Sequence, residues 1–399
     1  MLSPGDASLH RLRGQMREWG ADFRDRALEL DRDPRTIRRC LDLPAVRFLA
    51  AMGVPRRYRR PELIDGHAFD GATAVERVVV MEELARADVG MLVSAPGPLL
   101  AGVLVQVTGD ERQREWFYER VLDRPLWTCF ALTEPDHGSD AASLRTSLTR
   151  RPDGGAVLRG AKRYVGNAVR AQVAAVFGRT GASMLGIGAA LVETSTPGFH
   201  AEVIDTIGLR GACLSAVRLD DVEVPAGMVL GQHLSPSRRG VWAFTRTFNL
   251  LRPGVAAIAL GIARGAYEYL LASRRLWTRG EQHHLDRLRR DLDGTRALVL
   301  SAAEAVDAEP GEGHLASAAK LRAVRLAEHA TDLACALLGP GARLDHPLLD
   351  KMVRDARGME FVEGTSNMQR LTIFHSVLSG RLDRSLSIRR SRAAAPSRR

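Results

Sequence analysis

Short segments rich in β-branched residues fill the middle of this 399-residue chain, and they limit the possible folds more than any other feature. Between residues 127 and 235, segments such as "QVAAVFGRT" and "CLSAVRLDDVEVPAGMVL" are separated by Gly, Pro, Asp and Thr. This spacing indicates an antiparallel barrel or sandwich. No helical stretches alternate with these strands, so a parallel Rossmann sheet is not expected. "GIGAA" at Gly186 is no dinucleotide-binding loop, because nothing helical follows it.

Helical periodicity dominates on both sides of this segment. "ATAVERVVVMEELARAD" precedes it, and "VAAIALGIARGAYEYLLASRR" and "LASAAKLRAVRLAEHATDLACALL" follow it. Pro253 either starts or kinks a later helix, and Gly261 with Gly265 predicts close helix packing. We expect an N-terminal helical domain at 1–126, a β domain at 127–235, a C-terminal helical bundle at 236–380 and a basic disordered tail at 381–399.

The net charge of +10 is unevenly distributed, because seven Arg and one Asp between Arg381 and Arg399 carry six of the ten charges. The mildly basic remainder suits an acidic partner such as a phosphopantetheine carrier protein, and it equally suits no specific partner. No nucleic-acid recognition motif accompanies the basic residues. Nearly all of them are Arg, and the lysines are Lys162, Lys320 and Lys351. A GC-rich coding sequence explains that bias.

Four widely separated cysteines without a CxxC pair predict buried free thiols in a reducing cytosol. The N-terminus lacks a signal pattern, and the longest apolar run, from Val255 to Ala263, is too short to span a membrane. We therefore expect a cytoplasmic protein without membrane contacts.

The stretch "CFALTEPDHGSDAAS" from Cys129 to Ser143 is the most distinctive part of the chain. A strand-like run ends there in a tight turn set by Pro135 and Gly138. Ser139 and exposed backbone N–H groups in this turn can face an anionic or amide-rich ligand. A polar loop without a ligand is the alternative, and composition alone favours it.

A second stretch, "FVEGTSNMQR" at 361–370, places Glu363 between an apolar pair and an expected helix start. Thr365, Ser366 and Asn367 are favourable N-cap residues, so a helix is predicted to begin there. A carboxylate ahead of a helix can simply favour the helix dipole, or it can act as a base toward a substrate. The residues alone leave both interpretations open.

The two stretches resemble the two signatures of the acyl-CoA dehydrogenase family. "RGAKRYVGN" is similar to the family's flavin-facing strand, and the resemblance covers nearly the whole chain after Glu82. It implies an α+β fold with an N-terminal helical domain, a middle antiparallel β-barrel domain and a C-terminal four-helix bundle, and FAD between the last two. The implied FAD-binding residues are Phe130, Leu132, Thr133, Gly138, Ser139, Tyr164, Thr365 and Asn367.

The resemblance implies that Glu363 removes the α-proton of an acyl thioester while hydride passes from the β-carbon to flavin N5. A thioester α-hydrogen is a very weak acid, so hydrogen bonds must stabilise the developing enolate, and in the family one comes from the backbone N–H of the base. Burial should raise the pKa of Glu363. Arg252 matches a family Arg near the base and is the implied substrate-binding residue. An interhelix ion pair is the alternative for Arg252.

The chain departs from the family pattern at three places. "RRLWTRGEQHHLDRL" lacks the family's Phe-Gly, Cys335 stands where a cofactor-contacting Gln is common, and Gly166 stands where a Thr usually bonds the flavin. These changes concern contacts between subunits, and a homodimer or a homotetramer is expected. The loop "TEPDHGSD" is closest to glutaryl-CoA dehydrogenases, but "DVGMLVSAPG" offers no Arg for a distal carboxylate. A glutaryl substrate is therefore disfavoured.

Shortened, Arg-rich members of this family resemble the acyl-ACP dehydrogenases of polyketide extender-unit (methoxymalonyl-type) biosynthesis. The sequence thus favours an FAD-dependent dehydrogenase of a small acyl thioester on an acyl carrier protein, in secondary metabolism, with no metal or nucleic acid involved. Acyl-CoA dehydrogenation in fatty or amino acid catabolism is the first alternative. A flavin monooxygenase, against which Glu363 argues, and a non-catalytic scaffold on the same fold are the others.

Overall fold

The computed structural model describes residues 4–183 and 185–380. Helices form both ends of the described chain, and a β sheet lies between them. The predicted basic tail at 381–399 lies outside the described residues, and the domain boundaries at 126/127 and 235/236 stay predictions.

Five helices and one small hairpin precede the sheet. The helices are α1 (Pro4–Arg32), α2 (Pro44–Ala51), α3 (Ala74–Ser94), α4 (Leu99–Thr108) and α5 (Glu111–Asp123), and the hairpin pairs β1 (Glu62–Ile64) with β2 (His67–Phe69). Thr73 begins α3, because its side chain accepts a hydrogen bond from the backbone N–H of Glu76. Asp88 has a non-helical backbone and divides α3 into two helices across a kink.

The middle domain is one curled sheet of seven strands. They are β3 (Thr128–Ala131), β4 (Ser147–Arg150), β5 (Ala156–Val165), β6 (Val173–Arg179), β7 (Ile187–Glu193), β8 (Phe199–Val203) and β9 (Ser215–Val224). The predicted antiparallel arrangement is confirmed for the pairs β4–β5, β5–β9, β8–β9 and β6–β7. The other two pairings of β6, with β3 and with β4, are parallel and were not predicted. The long excursion of chain between β3 and β6 permits that parallel return.

The third part of the chain is helical, as predicted. It consists of α6 (Gly240–Ser273), α7 (Arg279–Ala308), α8 (His314–Leu338), α9 (Ala342–Asp345), α10 (Pro347–Gly358) and α11 (Ser366–Leu378). Helix α8 packs against α6, α7, α10 and α11, so it holds this bundle together. The predicted plan of helical domain, β domain and helical bundle is therefore confirmed.

Helix α6 is the central helix of the molecule. Pro253 lies inside it, and Gly261 and Gly265 face α3 so closely that an added Cβ atom would lie 2.5 Å from the carbonyl oxygens of Glu82 and Arg86. Close helix packing at these glycines is confirmed. Among the described residues, Pro236–Ser273 is long and apolar enough to cross a membrane, but 67% of its most apolar window is buried in the fold. Its apolarity thus serves the core.

Four phenylalanines join the sheet to α6. The ring centroids of Phe130 and Phe177 are 5.1 Å apart, and Phe130 lies 5.7 Å from Phe248. Phe244 packs against both Phe177 and Phe248. Offset and tilted aromatic pairs of this kind stabilise beyond the area that they bury, so this cluster fixes the distance between the sheet and the bundle.

All four cysteines are free thiols, as predicted. Cys40, Cys129 and Cys213 are buried, and Cys335 is half-buried. Burial raises the pKa of Cys129 to about 12, so this thiol stays protonated at neutral pH.

Lys351 joins three parts of the fold through buried charges. Its ammonium donates to Asp88 Oδ2 at 2.5 Å, at the kink of α3, and to Asp355 Oδ2 at 2.7 Å. The other oxygen of Asp355 accepts a hydrogen bond of 2.6 Å from the backbone N–H of Leu209. One lysine therefore fixes α3, α10 and the loop between β8 and β9.

We predict that Lys351→Met strongly destabilises the fold, because it leaves two buried carboxylates without their cation. Breaking a buried ion pair on one side costs about 3–5 kcal/mol. The change in the urea midpoint of unfolding measures the effect. The matched control is Arg322→Met, which breaks the half-exposed pair with Asp291 and should cost less than about 1 kcal/mol. Equal midpoints for the two variants would contradict the prediction.

Candidate active site

A cavity of about 1700 Å³ lies between the sheet and the C-terminal helices. Its walls are the loop after β3, the segment that joins α3 to α4, helix α6, and the loop before α11. Five residues that are not glycine but have a left-handed backbone line it: Leu99, Tyr164, Asn167, Leu209 and Glu363. Backbone strain of this kind collects at functional sites, because the surrounding structure must hold it in place. The cavity is therefore the candidate site.

Nine of the ten predicted site residues line this cavity. They are Phe130, Leu132, Thr133, Gly138, Ser139, Tyr164, Arg252, Glu363 and Thr365. Asn367 does not line the cavity; its side chain is exposed on α11 and accepts a hydrogen bond of 2.8 Å from Arg370. The structure thus brings together residues from three distant parts of the sequence, while their individual roles stay predictions.

The loop after β3 is held by a buried salt bridge. Lys162 donates to Glu134 Oε1 and to the backbone carbonyl of Leu132, both at 3.0 Å. Glu134 also accepts hydrogen bonds from the backbone N–H groups of Arg145 and Thr146. The lysine and these N–H groups hold the pKa of Glu134 below its usual value in spite of burial. The charge that anchors this loop is therefore present at neutral pH.

The second predicted stretch forms a sharp turn at Glu363. Its φ angle is +52° and that of Gly364 is +95°, so two consecutive residues are left-handed. Helix α11 begins at Ser366, as predicted, but the side chain of Thr365 makes no capping hydrogen bond. Instead, the carboxylate of Glu360 accepts from the backbone N–H and the hydroxyl of Ser366, at 2.7 and 2.6 Å.

Glu360 therefore performs the capping role that the sequence left open for Glu363. Because Glu360 occupies the start of α11, the carboxylate of Glu363 is free to point elsewhere. Its Oε2 atom is buried and has no hydrogen-bond partner among the described residues. Glu363 therefore makes no capping hydrogen bond to α11 within the described chain, and its role stays a prediction.

Burial raises the pKa of Glu363 to about 7, against the opposing effects of Arg252 and Lys320. Burial also lowers the pKa of Arg252, which nearby Glu363 partly offsets. Desolvation disfavours the charged form of each group, while the neighbouring opposite charges favour it. The result is a carboxyl group that changes its protonation state near neutral pH.

Arg252 does not form the interhelix ion pair that was its alternative role. Its Nη1 atom donates to Asn249 Oδ1 at 3.0 Å and to Ser317 Oγ at 3.4 Å, and it is in no salt bridge within the described part of the chain. Its buried Nε has no partner there either. Arg252 therefore lines the cavity as a cation that makes no salt bridge and whose nearby opposite charge is Glu363.

Two residues near Glu363 were missed by the sequence interpretation. Lys320, buried on α8, donates to the backbone carbonyls of Glu360 and Gly364. Gln369 donates to the carbonyls of Glu363 and Gly364, at 3.2 and 2.9 Å. Because lysine is rare in this Arg-rich chain, Lys320 could have been singled out as a position where the geometry of lysine is needed. Gln369 carried no such signal.

Two of the parts of the chain that build the cavity match models of a known protein family. Residues 129–222 match the family model "Acyl-CoA dehydrogenase, middle domain", and residues 238–378 match "Acyl-CoA dehydrogenase, C-terminal domain". Cyclohexane-1-carbonyl-CoA dehydrogenase of Geobacter metallireducens is 32% identical over 321 residues, which cover 77% of this chain and 80% of that protein. The chain belongs to the acyl-CoA dehydrogenase family.

Solved structures of this fold agree. A glutaryl-CoA dehydrogenase from Mycobacterium smegmatis, solved in complex with FADH2, is 26% identical with a TM-score of 0.75, covering 92% of this chain and 94% of that one. The prolyl acyl carrier protein oxidase AnaB is 20% identical with a TM-score of 0.80, covering 94% and 100% of the chains. Like other family members, the protein is an FAD-dependent oxidoreductase.

The residues that line the cavity fit FAD. The volume of the cavity exceeds the roughly 300–1000 Å³ that is typical of a site for one small ligand. The cavity therefore has room for a dinucleotide and an acyl chain together. Three buried polar atoms of the lining residues have no partner within the described chain: Arg252 Nε, Glu363 Oε2 and Gln369 Oε1. Buried polar atoms are normally hydrogen-bonded, so these atoms are suited to a polar ligand.

The raised pKa of Glu363 predicts a pH-dependent effect of Glu363→Gln on stability. In the folded state the pKa is about 7, above the ordinary 4.5, so the stability that the protonated carboxyl provides is lost as pH rises through this range. The variant should therefore gain stability relative to wild type between about pH 5.5 and 8, on the order of 1–3 kcal/mol. Unfolding midpoints across this range measure it. Glu202→Gln, at an exposed carboxyl, is the control. A stability difference that does not change with pH for Glu363→Gln would refute the raised pKa.

Proposed function

We propose that the protein oxidises a small acyl thioester bound to an acyl carrier protein of secondary metabolism, with Glu363 as the base that removes the α-proton. The observation that carries this proposal is the carboxylate of Glu363, buried in the cavity with Oε2 unpartnered and its pKa near 7. A general base is most effective when its pKa is near the working pH. A left-handed backbone holds this base in place.

The same turn offers a donor for the enolate oxygen. Within the described chain, the backbone N–H of Glu363 donates no hydrogen bond, and it lies beside the carboxylate by covalent geometry. A fixed N–H group near a developing negative charge lowers the barrier without reorganisation. Bound FAD supplies the acceptor for the hydride that leaves the β-carbon. One residue thus holds the proton acceptor and one oxyanion donor.

The wall formed by the end of α3 and the start of α4 is apolar. The lining residues there are Leu92, Val93, Ala95, Pro96, Leu99 and Leu100. An apolar wall favours an uncharged acyl chain and leaves a distal carboxylate without a partner. This supports an uncharged acyl substrate over a glutaryl group.

A basic surface beside the cavity supports the proposal that the acyl group is bound to a carrier protein. On the outer face of α6, Trp242 lies between Arg238 and Arg246, whose guanidinium carbons are 5.2 and 5.5 Å from the centre of its ring. Neither arginine forms a salt bridge with a described residue. Thr245, next to Arg246, is exposed and lines the cavity. A positive surface without salt-bridge partners at this place would attract an acidic carrier protein and orient its phosphopantetheine group.

Dehydrogenation of a free CoA ester is the second candidate. The Geobacter relative is named for a CoA ester, and its match covers most of this chain, which favours that candidate. AnaB is named as a carrier protein oxidase, but its 20% identity shows only a shared fold. A monooxygenase reaction does not require a base at Glu363, and a non-catalytic scaffold does not require a carboxyl group with a raised pKa.

We predict that Glu363→Gln keeps FAD and loses turnover by at least about 1000-fold, because the amide cannot accept the α-proton. In the wild type, kcat/KM should rise with pH up to about 7 and then level off, since only the deprotonated carboxylate is the base. Glu360→Gln, which removes the charge of the carboxylate that caps α11, should keep the same pH profile. A yellow, active Glu363→Gln protein would remove Glu363 from the mechanism.

The proposed carrier is tested by comparing kcat/KM for the same acyl group as a thioester of carrier protein, of CoA and of pantetheine. We predict the highest kcat/KM for the carrier ester. In Arg238→Glu/Arg246→Glu the ratio of kcat/KM for carrier and pantetheine esters should fall, by about tenfold or more at low salt, because rim charges act on association. The control, Arg287→Glu/Arg290→Glu on the exposed face of α7, has the same charge change. A CoA ester that outperforms the carrier ester would favour the second candidate.

A further inference from the structure

The turn that carries Glu363 is fixed from outside by one ammonium group. Lys320 of α8 donates to the carbonyl of Glu360 at 3.3 Å and to the carbonyl of Gly364. These two carbonyls lie at the two ends of the turn, on either side of Glu363. Since both converge on a single nitrogen atom, the ends of the turn cannot separate or rotate independently.

This contact opposes the strain of the turn. A left-handed residue that is not glycine is strained, and it persists only where neighbours hold it. Gln369 holds the same turn from α11 through the carbonyls of Glu363 and Gly364. Lys320 contacts the turn from α8 and not from α11, and it therefore couples the turn to the core of the bundle.

Lys320 also acts on the charge of Glu363. The charged groups that act on this carboxylate are Arg252 on α6 and Lys320 on α8, and Glu360 in the turn acts on Lys320. Burial lowers the pKa of Lys320 to about 8, so the ammonium is still largely charged at pH 7. Its charge opposes the effect of burial on Glu363. Geometry and charge thus make two separable contributions.

Lysine suits this position better than arginine. Lys162, Lys320 and Lys351 are each only 1% exposed, and each donates to two oxygen atoms on a wall of the cavity or beside it. An ammonium is a compact donor with three hydrogens, whereas a guanidinium is a planar fork. In a chain whose other basic residues are arginines, lysine remains where two acceptors converge on one point.

We infer that Lys320 is a positioning residue of the reaction: its ammonium, shared between the carbonyls of Glu360 and Gly364, holds Glu363 in the left-handed conformation that aims its carboxylate into the cavity. The inference rests on the proposed role of Glu363 as the base. It assigns a function to a lysine that does not line the cavity and acts through the backbone.

Two variants separate the contributions of Lys320. Lys320→Met removes both geometry and charge, so kcat should fall on the order of 10- to 100-fold, and the acid limb of the pH profile should move to higher pH. Lys320→Arg keeps the charge but cannot converge on both carbonyls, so kcat should fall while the acid limb stays near pH 7. FAD content should be unchanged in both.

Hydrogen–deuterium exchange of the peptide covering 359–366 supplies a readout without turnover. Exchange should be faster in Lys320→Met than in wild type, with and without added FAD. Lys351→Met is the matched control, because it removes another buried lysine and lowers stability, but it should change neither this exchange nor the acid limb.

Unchanged kcat and acid limb in Lys320→Met would overturn the inference, and so would slow exchange of the turn together with lost activity. Equal shifts of the acid limb in Lys320→Met and Lys351→Met would overturn it as well, since a general loss of stability would then explain both. Failure of the proposed function is recognised separately, by an active Glu363→Gln protein.

Discussion

Two consecutive left-handed residues, Glu363 and Gly364, are the constraint on which the site depends. They turn the chain so that a carboxylate just ahead of a helix enters a cavity instead of capping that helix. The turn is strained and the carboxylate is desolvated, and both effects oppose folding. Hydrogen bonds from Lys320, Gln369 and the cap at Glu360 offset them. The surrounding bundle therefore stabilises a local conformation that the isolated segment would not keep.

The same arrangement recurs on the other walls of the cavity. Lys162 holds the loop after β3 through Glu134, and Lys351 holds the loop before β9 through Asp355. Each of these three loops has its backbone fixed by a buried cation from a regular element. Loops are otherwise the most mobile parts of a fold, so buried charges give these loops the rigidity that a precise site requires.

Much of this architecture follows from local sequence patterns. Periodicity separated the helical parts from the β domain, glycines predicted close helix packing in α6, and two motifs identified two of the loops that line the cavity. The parallel pairing of β6 was missed because register between distant strands has no local signature. Asn367 was predicted to lie in the site because it belongs to the motif; its side chain is exposed on α11, and its role stays a prediction. Lys320 was missed because its acceptors are backbone carbonyls, which every sequence contains.

The balance of charges around Glu363 explains why both burial and cations are present. Burial alone would raise its pKa further, and less of the base would then be deprotonated when substrate arrives. Arg252 and Lys320 alone would lower its pKa and make the carboxylate too weak a base for a thioester α-proton. Together they leave a pKa near 7, where the deprotonated fraction and the basicity are both substantial. The two cations therefore set the base's strength, and the backbone of the turn sets its direction.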